Sequence, residues 1–229
     1  MRTETITKEI YSFEELTPEA QNTALETFRE SNHYLDYDWW DFVYEYWEEK
    51  LAEDGFDVTE NQNRMSYKWD SNLNRRVENG KKDFKEITIN FSGFWSQGDG
   101  ASFTAKSVDI CKWILNNNHT YSRLVKLYNS GALDLSGRVV RDRNSHYVHE
   151  NTTSFYLSYD FQQDYKSNLS NIEGLLEDLE REIQQHIKQL SIEIYRELEK
   201  EYEYLMSDEC IKETIIANDY EFEQDGSRY

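Results

Sequence analysis

Residues 91–103 read FSGFWSQGDGASF, with Gly98 and Gly100 on either side of Asp99. Two glycines around an acid permit positive φ and close backbone approach, which suits a tight turn or a loop that cradles a ligand. The stretch is not a P-loop, because Lys and Ser/Thr are missing after the second glycine. Nor is it a dinucleotide fingerprint, because Phe103 stands where the third glycine belongs. Two readings stay open. One is a bulged turn with Phe91, Phe94, Trp95 and Phe103 packed beneath it. The other is a pocket lip on which Trp95 stacks against a ligand while Gln97 and Asp99 hydrogen-bond to it, with His146 and His149 as further contacts.

Those histidines, in SHYVHEN, also raise metal chemistry. Three apart on a strand they face opposite sides and cannot share an ion. Cys111 and Cys210 are too far apart for a metal spacing. Asp36, Asp38 and Asp41 lack the glycine and terminal Glu of a calcium loop. No metal and no cofactor is expected. No G-x-S-x-G elbow exists, and Cys111 falls on the apolar side of a helix, where a thiolate is disfavoured. No catalytic set is assigned.

A third constellation is acidic. Glu173, Glu177 and Glu180, then Glu193, Glu197 and Glu201, line the outer face of a long helix. Duplex DNA presents one charge per roughly 1.7 Å of axis, so a carboxylate row could imitate one edge of it and occupy the basic groove of a nuclease. The plain alternative is a solvated helix face.

The elements that would carry these residues form an α+β fold, an antiparallel sheet centred on 86–105 and 137–160 and covered by helices. Thr17, Pro18 and Glu19 mark a helix start, as N-cap, first position and first-turn acid, and the helix should run to about Arg29. The next segment puts Trp39, Trp40, Phe42, Val43, Tyr46, Trp47 and Leu51 on one broad helical face, ended by Gly55. Ile87, Ile89 and Phe91 alternate as a strand. From Ile172 to Leu205 the apolar positions step by about 3.67 residues, the period of a nearly straight helix. If continuous over 168–206 it would be about 58 Å long. The expected division is a core of residues 1–167 and an acidic helical extension of 168–229.

Composition bounds the partners. The 229 residues carry a net charge of −20 and 15% aromatics. The acid lies at the ends: residues 1–54 have net −11, residues 55–167 net +2, residues 168–206 net −6 and residues 207–229 net −5. Such a field repels nucleic acid and membranes and favours basic partners. No apolar run reaches membrane-spanning length, no secretory h-region is evident at MRTETITKEI, and reduced cytoplasmic thiols are expected.

YSFEELTPEAQNTALETF, DYDWWDFVYEYWEEKLAEDGFDV, ITINFSGFWSQGDGASF and, more loosely, SHYVHENTTSF resemble a family encoded in bacteriophage and prophage genomes, some of whose members carry the label antitoxin. The resemblance covers residues 10–160, with GFWSQGDGASF its most specific part, and it leaves out the helix after Asn168. It implies a phage-borne accessory protein in the cytoplasm of an infected bacterium and transfers no catalytic residue. The resulting expectation is a protein that binds and inhibits a host protein with a basic surface, a defence nuclease or a toxin, through its acidic helices. The alternative is a nucleotide or other small ligand sequestered or hydrolysed at the GDG loop. A third is an accessory homodimer paired through the long helix.

Overall fold

The computed structural model describes residues 8–31, 35, 38–57, 61–70, 75–85, 89–142, 146–162 and 169–229. In chain order these form β1 (Tyr11–Ser12), α1 (Pro18–Glu30), α2 (Asp41–Glu53), β2 (Phe56–Asp57), β3 (Asn61–Asp70), β4 (Arg75–Lys85) and β5 (Ile89–Phe91). There follow β6 (Ala101–Phe103), β7 (Ala105–Val108), α3 (Ile110–Asn117), α4 (Ser122–Asn129), β8 (Leu133–Arg141), β9 (Thr153–Phe161), α5 (Leu169–Leu205), α6 (Asp208–Ala217) and β10 (Glu221–Phe222). The fold is α+β, and the named strands pair antiparallel. Among the described residues no helix is long and apolar enough to cross a membrane.

Two compact units divide the chain, one comprising the described residues up to Asp41 with Leu198–Tyr229, the other Phe42–Glu197. The boundary expected at 167/168 is not where the contacts part. Its physical reason is that the two chain ends share one apolar core. Thr17 caps α1 by accepting from the Ala20 N–H (3.3 Å), with Pro18 in the first turn, as the sequence indicates. The buried face Ala20, Ala24, Leu25 and Phe28 packs with Phe13 and Leu16, and with Ile211 and Ile215 of α6 and Phe222 of β10. Pairing of β1 with β10, Tyr11 opposite Phe222, ties the same ends.

In the second unit the sheet order is β2-β7-β8-β9, and β5-β6 and β3-β4 are separate two-stranded ribbons. The regions expected to share one sheet are thus split: among the described residues β5 pairs within its own ribbon, Ile89 opposite Phe103. Ile87 lies outside the described residues. On β8, Leu133, Leu135, Gly137 and Val139 alternate inward.

The aromatic helix differs from expectation. Trp39, which is buried, and Trp40 precede it, and within the helix only Val43, Trp47 and Leu51 are buried, at i, i+4 and i+8. Phe42 is 75% exposed and Tyr46 also faces out. Gly55 ends the helix at φ +95°, and side chains of α3 cover its last carbonyls, Lys112 Nζ donating to Ala52 O (2.8 Å) and Asn116 Nδ2 to Glu53 O (2.8 Å).

Helix α5 is continuous over 37 residues, about 55 Å. Ile172, Leu176, Leu179, Ile183, Ile187, Leu190, Ile194 and Leu198 are all buried. That stripe is covered by the chain itself. Its polar neighbours close the open edge of the sheet. Gln184 Oε1 accepts from Phe155 N (2.6 Å) and its Nε2 donates to Thr153 O (3.2 Å), while Glu180 Oε1 accepts from Leu157 N (3.0 Å). An edge strand otherwise invites another chain to pair with it.

Candidate binding surface

The loop from Ser92 to Gly100 is organised by its own acid. The Asp99 carboxylate accepts from Trp95 N (3.1 Å), Ser96 N (2.7 Å) and Ser92 Oγ (3.2 Å). Asp99 N donates to Ser96 O (2.9 Å), and Ser92 N to Gly100 O (3.3 Å), closing the base. Hydrogen bonds to an ionised acceptor are among the stronger ones, so the turn is held in one shape. At its root Phe91 and Phe94 lie 4.8 Å apart and meet Tyr195 of α5, Phe94 at 5.5 Å. Phe103 is fully buried against Phe56 at 5.3 Å. Trp95 is not packed beneath the turn: it is 79% exposed.

A second loop lies on this one. Val148 N donates to Gly98 O (2.9 Å), and the Val148 side chain is buried. A Cβ on Gly98 would stand 1.8 Å from the Tyr147 ring, and one on Gly100 would stand 2.6 Å from Val148 O. Both glycines are therefore required by the close approach of residues 147–149. Arg141 Nη2 donates to Tyr147 O (3.2 Å), and Thr152 folds back onto His149 O through its N–H (2.9 Å) and hydroxyl (2.7 Å). Lys188 Nζ of α5 donates to Asn151 Oδ1 (2.9 Å).

The two sequence segments that suggested a site are thus brought together, with changed roles. Trp95, Gln97 and His146 are exposed. Asp99 is turned into its loop instead of toward a ligand. His146 and His149 are not on a strand; they lie in the connection from β8 to β9, where the buried Val148 draws the chain onto the glycines. His149 Nδ1 accepts from Asn151 N (3.1 Å) and so shapes a turn. Tyr147, unremarked in the sequence, is 56% exposed with its ring stacked 6.2 Å from that of His149. Two cavities of about 400 and 410 Å³ are lined by other residues. Among the described residues no group of three or more His, Cys, Asp or Glu could hold a metal ion.

The glutamate row is interrupted. Glu173 and Glu177 are exposed, but Glu180 is turned to the β9 edge, Glu193 accepts from Gln189 Nε2 (3.0 Å), and Glu197 and Glu201 are half-buried. Arg181, Gln185, Gln189, Arg196 and Lys200 share the exposed side of the helix. A continuous carboxylate edge is not what α5 presents.

A polar network went unread in the sequence. Trp113 Nε1 donates to His186 Nδ1 (3.2 Å), and His186 Nε2 lies 3.3 Å from Asp54 Oδ2, whose other oxygen accepts from Asn117 Nδ2 (3.2 Å). Glu182 accepts from Asn118 Nδ2 (2.7 Å) and the Tyr121 hydroxyl (2.7 Å). Burial lowers the His186 pKa, against the pull of Asp54, Glu193 and Glu182; burial and then Glu182 push the Tyr121 hydroxyl up to about 12. With an indole N–H on one nitrogen and Asp54 on the other, the imidazole has no free lone pair to act as a base. Its sequence signal is slight: Glu182 and His186 stand four apart beside the buried Ile183 and Ile187, while nothing in spacing points to Asp54. Burial, then Asp109, also raises the Cys111 thiol, which lines the 410 Å³ cavity.

A family model described as Domain of unknown function (DUF8835) matches residues 39–208, which contain both loops and the His186 network, and the chain belongs to that family. No curated protein and no solved structure matches the chain.

Proposed function

We propose that this member of the DUF8835 family is a non-catalytic binding protein that docks a partner with a basic surface on the face formed by Trp95 and Tyr147. The observation that carries it is a tryptophan 79% exposed, edge-on to Phe94 at 5.9 Å, on a loop whose backbone Asp99 fixes. Apolar surface left in water costs roughly 25 cal/mol per Å², and a rigid loop forfeits little entropy on binding, so a fixed outward tryptophan is a preorganised anchor. Trp and Tyr dominate interface hot spots, and their ring faces accept Arg and Lys by cation–π attraction. The net charge of −20 steers a basic partner in and repels nucleic acid. The resemblance to phage-encoded proteins extends the reading to a host protein, a defence nuclease or a toxin, blocked by occupancy.

The test is capture of partners from a bacterial lysate with the wild-type chain and with Trp95→Ala. A stoichiometric protein bound to wild type should lose about 2 kcal/mol of affinity, roughly 30-fold, in the variant. Equal affinity for both chains would take the binding face away from Trp95. A bait that carries a nucleotide in place of a protein would move the function to the small-ligand alternative.

A further inference from the structure

Residues 10–15 and 215–221 enclose a groove of about 400 Å³ in the unit built from the two chain ends. Its lining mixes polar and apolar groups: Phe13 and Ile215 are buried behind it, while Ile10 and Ile216, each 40% exposed, leave apolar surface among the carboxylates. Among the described residues that line it, every charged one is acidic. Glu14, Asp219 and Glu221 stand at the rim, and Glu15 is fixed by accepting from Ser12 N (2.8 Å) and Ser12 Oγ (3.0 Å), which lowers its pKa.

The groove also receives the C-terminal end of α6. There Asp219 takes a left-handed conformation, φ +50°, and its N–H donates to Ile216 O (3.1 Å), while Tyr220 N donates to Ile215 O (3.2 Å). The end of a helix carries partial negative charge and favours cations. Two bases lie near it, one of them over Tyr220, a residue of the lining. Lys8 is paired with Glu223 (2.7 Å), and Arg228 lies over the Tyr220 ring at 4.1 Å, an instance within this chain of that ring taking a guanidinium.

We infer that this groove binds a linear peptide segment in which basic side chains flank aliphatic ones. The acids and the helix end select the cations, and the exposed isoleucines select the apolar groups between them. The volume falls in the range of pockets that enclose small ligands, about 300–1,000 Å³, so a short segment fits where a broad protein face does not. Trp95 and Tyr147 belong to the other unit.

Fluorescence anisotropy with the full chain tests it, using labelled Arg-Leu-Arg-Leu-Arg, with Arg-Ser-Arg-Ser-Arg and Glu-Leu-Glu-Leu-Glu as comparisons. The first should bind saturably, the second about tenfold more weakly, and the acidic peptide not at all. Combining Glu14→Gln, Asp219→Asn and Glu221→Gln should weaken binding about tenfold, Asn at 219 keeping the left-handed turn accessible. Ile216→Ser, at a partly exposed position that leaves folding intact, should weaken it about threefold or more, and decides the matter should the triple variant not fold. Equal binding of the two arginine peptides, indifference to Ile216→Ser, or no saturable binding would each overturn the assignment.

Discussion

A carboxylate between two glycines can hold a ligand or its own loop, and the donors around it decide which. Three of them, from Trp95, Ser96 and Ser92, converge on Asp99 from within the turn. His186 is the reverse case, a lone histidine on an apolar stripe that proves to be the centre of a network. Protonation at Nδ1 would set a second N–H against the Trp113 indole N–H, and burial already lowers its pKa in spite of Asp54, Glu182 and Glu193. The folded chain therefore takes up this proton less readily than the unfolded chain, whose value is near 6.5. The linked stability is full above that value and is lost as pH falls below it toward the depressed folded one. From about pH 7 to about pH 5 the melting temperature should fall more steeply for wild type than for His186→Gln. Parallel profiles would show that other groups set the slope.

Among the elements, α5 and β9 show why periodicity is informative only about apolar contacts. The step of the apolar residues marks α5 and its buried face, yet it places Glu180 on the solvent side by default. In the fold that residue and Gln184 meet backbone groups of β9, because a terminal strand brings unpaired N–H and C=O groups within reach of a helix lying along it. Gln184→Leu would leave the Phe155 N–H and Thr153 carbonyl without this partner, and should cost about 1–3 kcal/mol in denaturant unfolding. A loss within about 0.5 kcal/mol would mean that water replaces the side chain. The aromatic helix α2 teaches a related point. Its apolar arc is wider than one helix can bury, and sequence alone does not say which part stays outside; the neighbours bury Val43, Trp47 and Leu51 and leave Phe42 and Tyr46 in water.

Over the whole molecule the dominant property is charge. At net −20 the field reaches well beyond any one contact, whereas the affinity supplied by Trp95 is short-ranged. The two should separate with salt. For a captured basic partner, raising salt from about 0.05 M to about 0.5 M should slow association at least roughly tenfold and leave dissociation little changed. An association rate indifferent to salt would deny the field its steering role. The units also show how chain ends far apart in sequence can serve one core, since α1 and α6 are each too short to bury a face alone.

What the sequence determined by itself is what local physics determines: the α+β class, the Thr17–Pro18 helix start, the glycine stop of α2, and the long helix with its buried stripe. These follow from capping chemistry and from periodicity, both of which act within a few residues. Only tertiary structure decided that Gly98 and Gly100 make room for Tyr147 and Val148, that Asp99 faces inward while Trp95 faces out, and that Asp54, Trp113 and His186 meet. Those outcomes depend on contacts between residues remote in sequence, and no local pattern encodes which distant side chain will fill a given space.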